Sequence, residues 1–300
     1  MYVIYLKELF LLPRFEKFDK KILKKMAVFG LFVILGASSG MVSGTIDSLM
    51  IGALIDNGLT KVAYYSIALY IGVMIMIPYN SIIRIATPII SEAWKNNSSR
   101  KIDSIYKQTS TNLMLIGSLL FLGIWLNVDN IFRILPPEYG EAKYVLLFIC
   151  LSTLYDVSTS VNSTIIQFSD FFKLMLYFNF LLIALLIGTN FLLIPLYGIE
   201  GAAIATLISV FIVNTIRLLI IKVKMGILPF TVKTIYIPLV GALIYGIVYL
   251  IPPFESYIVD ILVRSVIITA MYIPAVYVLK VSKEFNDLID KSLTILKLRK

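Results

Sequence analysis

Asp47, Asn80, Arg84 and Asp156 are the side chains best placed for chemistry, because each lies inside a long apolar run. A charge at the centre of hydrocarbon costs roughly 2.5–3.5 kcal/mol on insertion scales, so such residues turn toward a cavity or a partner. Ser39, Ser43 and Asp47 recur at helical spacing, with Gly36, Gly40 and Gly44 alongside as a face on which another helix can pack closely. Asp47 reads either as a cavity residue or as an acid reaching interfacial water. Asn80, Arg84, Thr87 and Ser91 form a second stripe, bracketed by Pro78 and Pro88, each of which removes a backbone donor and invites a bend. Arg84 reads either as a cation in a water-filled, anion-attracting cavity, where its planar donors suit phosphate, or as a structural arginine. Asp156, Ser160, Ser163 and Gln167 make a third stripe. Asp156 must be protonated, paired or hydrated, which leaves a coupling-ion or proton site, an ion pair and a neutral hydrogen-bonding acid all open. Arg217 and Arg264 are expected to snorkel to a surface, and Asn179 and Asn190 to hydrogen-bond between helices.

Other chemistries lack their residues. Histidine is absent, which removes His-based acid–base catalysis and His metal sites. Cys150 is the single cysteine and reads as a packing residue. No glycine-rich phosphate loop, aspartate-rich metal–diphosphate motif or nucleophile elbow occurs. Polar stripes without a reaction centre point to a transporter, not an enzyme, with no cofactor and no metal.

The elements that must carry these stripes are membrane helices. Of the 300 residues, 59% are hydrophobic and 15% charged, and the mean hydropathy is +0.90; soluble domains carry about 25% charged residues. The apolar residues gather in runs of about twenty, the length that crosses a bilayer. The pattern predicts an all-α polytopic membrane protein of about eight transmembrane helices, at 26–51, 62–92, 104–126, 142–167, 171–194, 200–223, 234–252 and 257–280. The net charge of +9 does not indicate nucleic acid, because the basic residues are divided among the loops. They cluster before the first run and in alternate loops, while Asp56, Asp129, Glu138, Glu141, Glu200 and Glu255 occupy the opposite loops. By the positive-inside rule both termini are cytoplasmic. Residues 1–25 read as a basic cytoplasmic linker, without the features of a cleavable signal peptide. A six-helix lobe follows over 26–224, two trailing helices over 225–281, and a basic tail over 282–300. The tail reads as an amphipathic helix on membrane lipid or as a frayed end.

Particular strings carry a family resemblance. Thr45-Ile46-Asp47-Ser48-Leu49-Met50-Ile51-Gly52, Ala86-Thr87-Pro88-Ile89-Ile90, Pro136-Pro137-Glu138-Tyr139 and Ile194-Pro195-Leu196-Tyr197-Gly198-Ile199-Glu200-Gly201-Ala202-Ala203-Ile204-Ala205-Thr206 resemble the second half of Wzx-type polysaccharide flippases. Their superfamily also holds multidrug antiporters. The resemblance implies two helical lobes around a central cavity, alternating access, and residence in the bacterial cytoplasmic (inner) membrane. It implies a substrate of undecaprenyl-diphosphate-linked oligosaccharide, moved for O-antigen or capsule synthesis. Arg84, Asn80, Asp47 and Asp156 would then line the cavity. The chain corresponds to the second lobe plus two trailing helices, which reads as a truncated or split frame or as a fragment, with a separate first-lobe polypeptide as its hypothetical partner. The competing readings are a cation-coupled multidrug exporter of the same superfamily and an integral-membrane transferase.

Overall fold

The computed structural model describes Gly30, residues 45–159 and residues 161–298. Ser39, Ser43, Gly36, Gly40, Gly44 and Ser160 lie outside the described residues. Every regular element among them is helical. Large apolar side chains face outward, as with Leu59 at 88% exposure, Val223 at 80% and Leu250 at 81%, while Asp47, Asn190 and Arg217 are buried. That is the reverse of the arrangement water selects, and it suits a solvent of lipid tails.

Helix α1 covers Thr45–Leu54. Helix α2 (Gly58–Val73) runs through a tight turn at Met74–Met76 into α3 (Ile77–Lys95). Pro78 causes that tightening: it has no N–H for the Met74 carbonyl, which is taken instead by the N–H of Ile77, one residue earlier. Helix α4 (Ser99–Trp125) bends by 58° into short α5 (Val128–Ile134). Helix α6 (Lys143–Thr159) is central, packed against α2, α4 and the long helix that follows.

A single crossing over 142–167 is expected from sequence, but α6 stops at Thr159 and α7 restarts at Asn162–Phe168. Hydroxyl groups bond the backbone next to that point. Ser158 and Thr159 bond back to the carbonyls of Leu154 and Asp156, and Ser110 of α4 donates to the Ser158 carbonyl.

Helix α8 spans Leu174–Met225, 52 residues with one non-helical position, Gly198, at φ 59 and ψ −135. A straight helix of that length would extend about 78 Å, far more than the roughly 30 Å hydrocarbon core. The side-chain pairing shows that the chain reverses at Gly198. Arg217 bonds Asn179, and Thr189 lies 3.3 Å from Ser209. Asn190 and Thr206 meet on one shared acceptor, Asp47. Each pair is nearly equidistant from Gly198, which is the geometry of an antiparallel hairpin. The positive φ is accessible to glycine at little cost. A Cβ on Gly201 would lie 2.2 Å from the Leu193 carbonyl oxygen, so the arms close tightly just past the turn.

Helices α9 (Tyr236–Tyr249) and α10 (Tyr257–Val278) pack on α4. Helix α10 runs antiparallel along α4. Asn127 bonds Ser265, Asn130 bonds Asp260, Tyr272 bonds the Leu115 carbonyl, and Ser282 bonds Asn112. The tail is helical over Lys283–Leu298 (α11).

The expected count of eight spans is not met. Among the described residues five helices are long and apolar enough to cross a membrane, or six with the bent α4–α5 pair as one span. Two features lie behind the difference. Most of the expected first span lies outside the described residues, and the expected fifth and sixth spans are joined through Gly198 into one 52-residue element.

Replacing Gly201 with Val should force the hairpin arms apart and lower stability by about 1–3 kcal/mol. Gly188→Ala, where an added methyl meets nothing within 4 Å, should stay within about 0.5 kcal/mol of the parent. Thermal unfolding of both variants in detergent checks the contrast.

Candidate functional site

A cavity of about 250 Å³ opens between α2, α6 and both arms of α8, and Asp47 and Asp156 both line it, with Tyr65, Ser152, Thr153 and Thr206. Its remaining wall is apolar, from residues such as Leu69, Ile149 and Leu186. A larger cleft of about 950 Å³ lies where α4 meets the α10–α11 corner. Its four lysines face four acids, a balanced polar surface with no net preference for either sign.

Asp47 is 5% exposed and accepts three hydrogen bonds from neutral donors. Tyr65 Oη donates to Oδ2 at 2.6 Å, Thr206 Oγ1 to Oδ2 at 2.5 Å, and Asn190 Nδ2 to Oδ1 at 2.7 Å. The donors come from α2 and the two arms of α8, so one acid pins three helices. Asn190 is fully buried, and its Oδ1 has no hydrogen-bond partner among the described residues. A deeply placed oxygen beside a carboxylate is free to accept from a further group.

Asp156 accepts from Asn214 Nδ2 at 2.7 Å. The same amide presents Oδ1 to Arg217 Nη1 at 3.2 Å. Arg217 Nη2 reaches Asn179 Oδ1 at 3.3 Å, and the guanidinium lies 5.5 Å from the centre of the Phe178 ring. Asn214 thus bridges Asp156 and Arg217 through a single amide. Thr206 and Asn214, which touch the two acids, are eight residues apart on one arm, about 12 Å along its axis. Two like charges at that separation repel by roughly 1.4 kcal/mol at an effective dielectric of about 20. A shared cavity therefore disfavours two uncompensated carboxylates by about tenfold.

The four site residues expected from sequence divide into two pairs. Asp47 and Asp156 come together; Asn80 and Arg84 do not join them. Both are exposed on α3, near the outward-facing Ile77 and Ile85, and neither lines this cavity. Tyr65, Thr206 and Asn214 were not singled out by sequence reasoning. Thr206 and Asn214 are eight residues apart, a helical spacing that marks one face of the arm.

Two expectations are corrected. Arg217 does not snorkel: it is 8% exposed, because Asn179 stands at the same distance from Gly198 on the facing arm and meets it. Arg264 is likewise 8% exposed. Its Nε bonds Asp260 at 2.9 Å, and Nη1 and Nη2 bond the carbonyls of Val248 and Ile251 at 3.2 and 2.9 Å. Both carbonyls lie at the C-terminal end of α9, so local partners replace the water that snorkelling would seek.

The outward apolar faces, the crossing-length helices and the inward polar seam define a multi-pass all-α membrane protein. A relative of the same kind accompanies that conclusion. The chain is 22% identical over 297 residues to an uncharacterized membrane protein of Methanocaldococcus jannaschii, covering 96% of this chain and 58% of the relative. The chain thus spans under two thirds of the length of that archaeal protein. No protein-family model matches the chain. No solved structure matches it.

Thr206→Val keeps the side-chain shape and removes one donor from a buried carboxylate. It should lower thermal stability in detergent by about 1.5–3 kcal/mol. Thr269→Val, whose exposed hydroxyl bonds only its own helix, should change it by less than about 0.5 kcal/mol.

Proposed function

We propose that this chain is the second-lobe part of a transporter that moves a lipid-diphosphate-linked oligosaccharide across the cytoplasmic membrane, coupled to cation movement at the Asp47–Asp156 cavity. The observation that carries the reading is that cavity: two carboxylates inside an apolar bundle, one of them held only by neutral donors. Such a group serves a mobile cation better than it serves stability, because a buried unpaired charge is costly.

The substrate class rests on the resemblance of the Ile194–Thr206 string and its companions to Wzx-type flippases. The archaeal source of the relative favours stating the carrier by its chemistry, a long isoprenoid diphosphate, with surface polysaccharide as the product. In this reading the chain crosses eight times with both ends cytoplasmic, and α8 supplies two of the crossings. The exposed face of α3 carrying Asn80 and Arg84 turns toward the first lobe, and Arg84 meets the diphosphate there. The partial coverage of the longer relative is consistent with a first lobe supplied by further sequence.

A multidrug exporter fits less well. The guanidinium of Arg84, on the α3 face that meets the substrate in this reading, repels cationic drugs. An integral-membrane transferase would need an acid or nucleophile cluster in a polar loop, and the loop acids Asp129 and Glu141 are instead paired with Lys143 and Lys61.

The test is rescue of surface polysaccharide in a cell that lacks its own flippase. Co-expression with a first lobe should restore it, and Asp47→Asn should reduce it at least about tenfold. Failure to rescue with every first lobe supplied would overturn the reading.

A further inference from the structure

The two carboxylates of the cavity are not equivalent. Asp47 meets only neutral groups: a phenol, a hydroxyl and an amide. Asp156 shares Asn214 with Arg217, the amide nitrogen facing the acid and the amide oxygen facing the guanidinium. Among the described residues, Arg217 in turn has no carboxylate within ion-pair distance. Its Nη groups go to amide oxygens, and its Nε is buried without a partner among the described residues. Asp156 therefore supplies the charge that Arg217 lacks, and Arg217 the charge that Asp156 lacks.

Counting charge within the bundle sharpens the point. Among the described residues, Asp260 and Arg264 neutralise one another at 2.9 Å, with every guanidinium nitrogen of Arg264 engaged. Asp156 balances Arg217. Residues 26–44 contribute no Asp, Glu, Lys or Arg to the interior. One negative charge is left over, on Asp47, and Asn190 Oδ1 lies at that acid with no donor. Rotation of the Asn190 amide would turn its oxygen toward whatever sits on Asp47, beside the hydroxyls of Thr206 and Tyr65. One carboxylate with neutral oxygens around it suits a single positive charge.

We infer that Arg217 is a tethered cation filling the counter-ion role at Asp156, so that the two-carboxylate cavity takes one mobile monovalent cation, at Asp47. This rests on the cation-coupled reading above and fixes its stoichiometry at one. The tether explains why a second ion is not recruited: the guanidinium is covalently held at high local concentration and never leaves. The mobile charge is an alkali ion or a proton, and the two are distinguished by measurement.

The chain in lipid nanodiscs is titrated with sodium chloride at constant ionic strength, choline replacing sodium, with heat and bound radioactive sodium read together. A parallel arm measures proton uptake in the absence of sodium. The parent chain should take up one equivalent in one arm. Asp47→Asn should weaken that uptake by about 100-fold or more, and Asp156→Asn by less than about threefold. Arg217→Gln should raise the stoichiometry to two, and Arg217→Lys, which keeps a tethered charge, should leave it at one. If Arg217→Gln does not fold, the double variant Asp156→Asn/Arg217→Gln, with neither charge, should still bind one. Two equivalents in the parent, or loss with Asp156→Asn and retention with Asp47→Asn, would overturn the inference and leave transport standing. Uptake in neither arm would sink cation coupling and the inference together, while the rescue experiment separately decides the transport reading.

Discussion

Hydrocarbon offers a polar group nothing to bond, so each polar side chain inside the bundle must be met by another from the protein. The arrangement of helices follows from how those partners are found. Asp47 draws Tyr65 from α2 and Asn190 and Thr206 from the two arms of α8. Asp156 on α6 draws Asn214 from the second arm. Apolar contacts alone discriminate poorly among helix faces in lipid, because the tails are as apolar as leucine. The hydrogen bonds to these two acids therefore set which faces of α2, α6 and α8 turn inward.

Gly198 makes that matching possible. With one hinge between two helices of similar length, each residue on the first arm meets the residue at the same distance on the second. Asn190 thus faces Thr206 across Asp47, and Asn179 faces Arg217. The close approach of Gly201 to the Leu193 carbonyl keeps the arms in register at the turn. Counting from the hinge, Asp47 sits about 12 Å below it and Arg217 about 29 Å, so the polar seam covers about 17 Å, a little over half of the roughly 30 Å hydrocarbon core.

Much of this was legible in the amino-acid sequence. Apolar runs of membrane length gave the all-α class, Pro195 and Gly198 gave the break between two helices, and isolated acids marked Asp47 and Asp156. What was not legible is pairing. Sequence periodicity ranks residues along one helix, whereas Arg84 and Asp156 differ in how their helices are turned, which depends on neighbours. Arg84 carries the stronger charge signal and faces outward; Thr206 carries almost none and binds Asp47. Arg217 was misread because nearness to a helix end suggests snorkelling, and only the mirror position of Asn179 shows otherwise.

The two buried arginines are held in opposite ways. Arg264 has a carboxylate four residues away on its own helix and carbonyls at the end of the preceding one, so every nitrogen is engaged. The Asp260 partner is itself tied to Asn130, which joins α10 to α5. Nothing there is left to respond to a ligand, and the group fastens the trailing helices to α4 and α5. Arg217 is the opposite case. Its nearest acid is reached through an amide, one nitrogen has no partner, and the acid lines a cavity shared with a second carboxylate. A protein selecting only for stability would close that gap or replace both charges with apolar groups, since a buried pair seldom exceeds the stability of a well-packed apolar substitute. Retaining an imperfect pair beside an unbalanced acid is costly in a membrane, a cost that the proposed cation-coupled reading would account for.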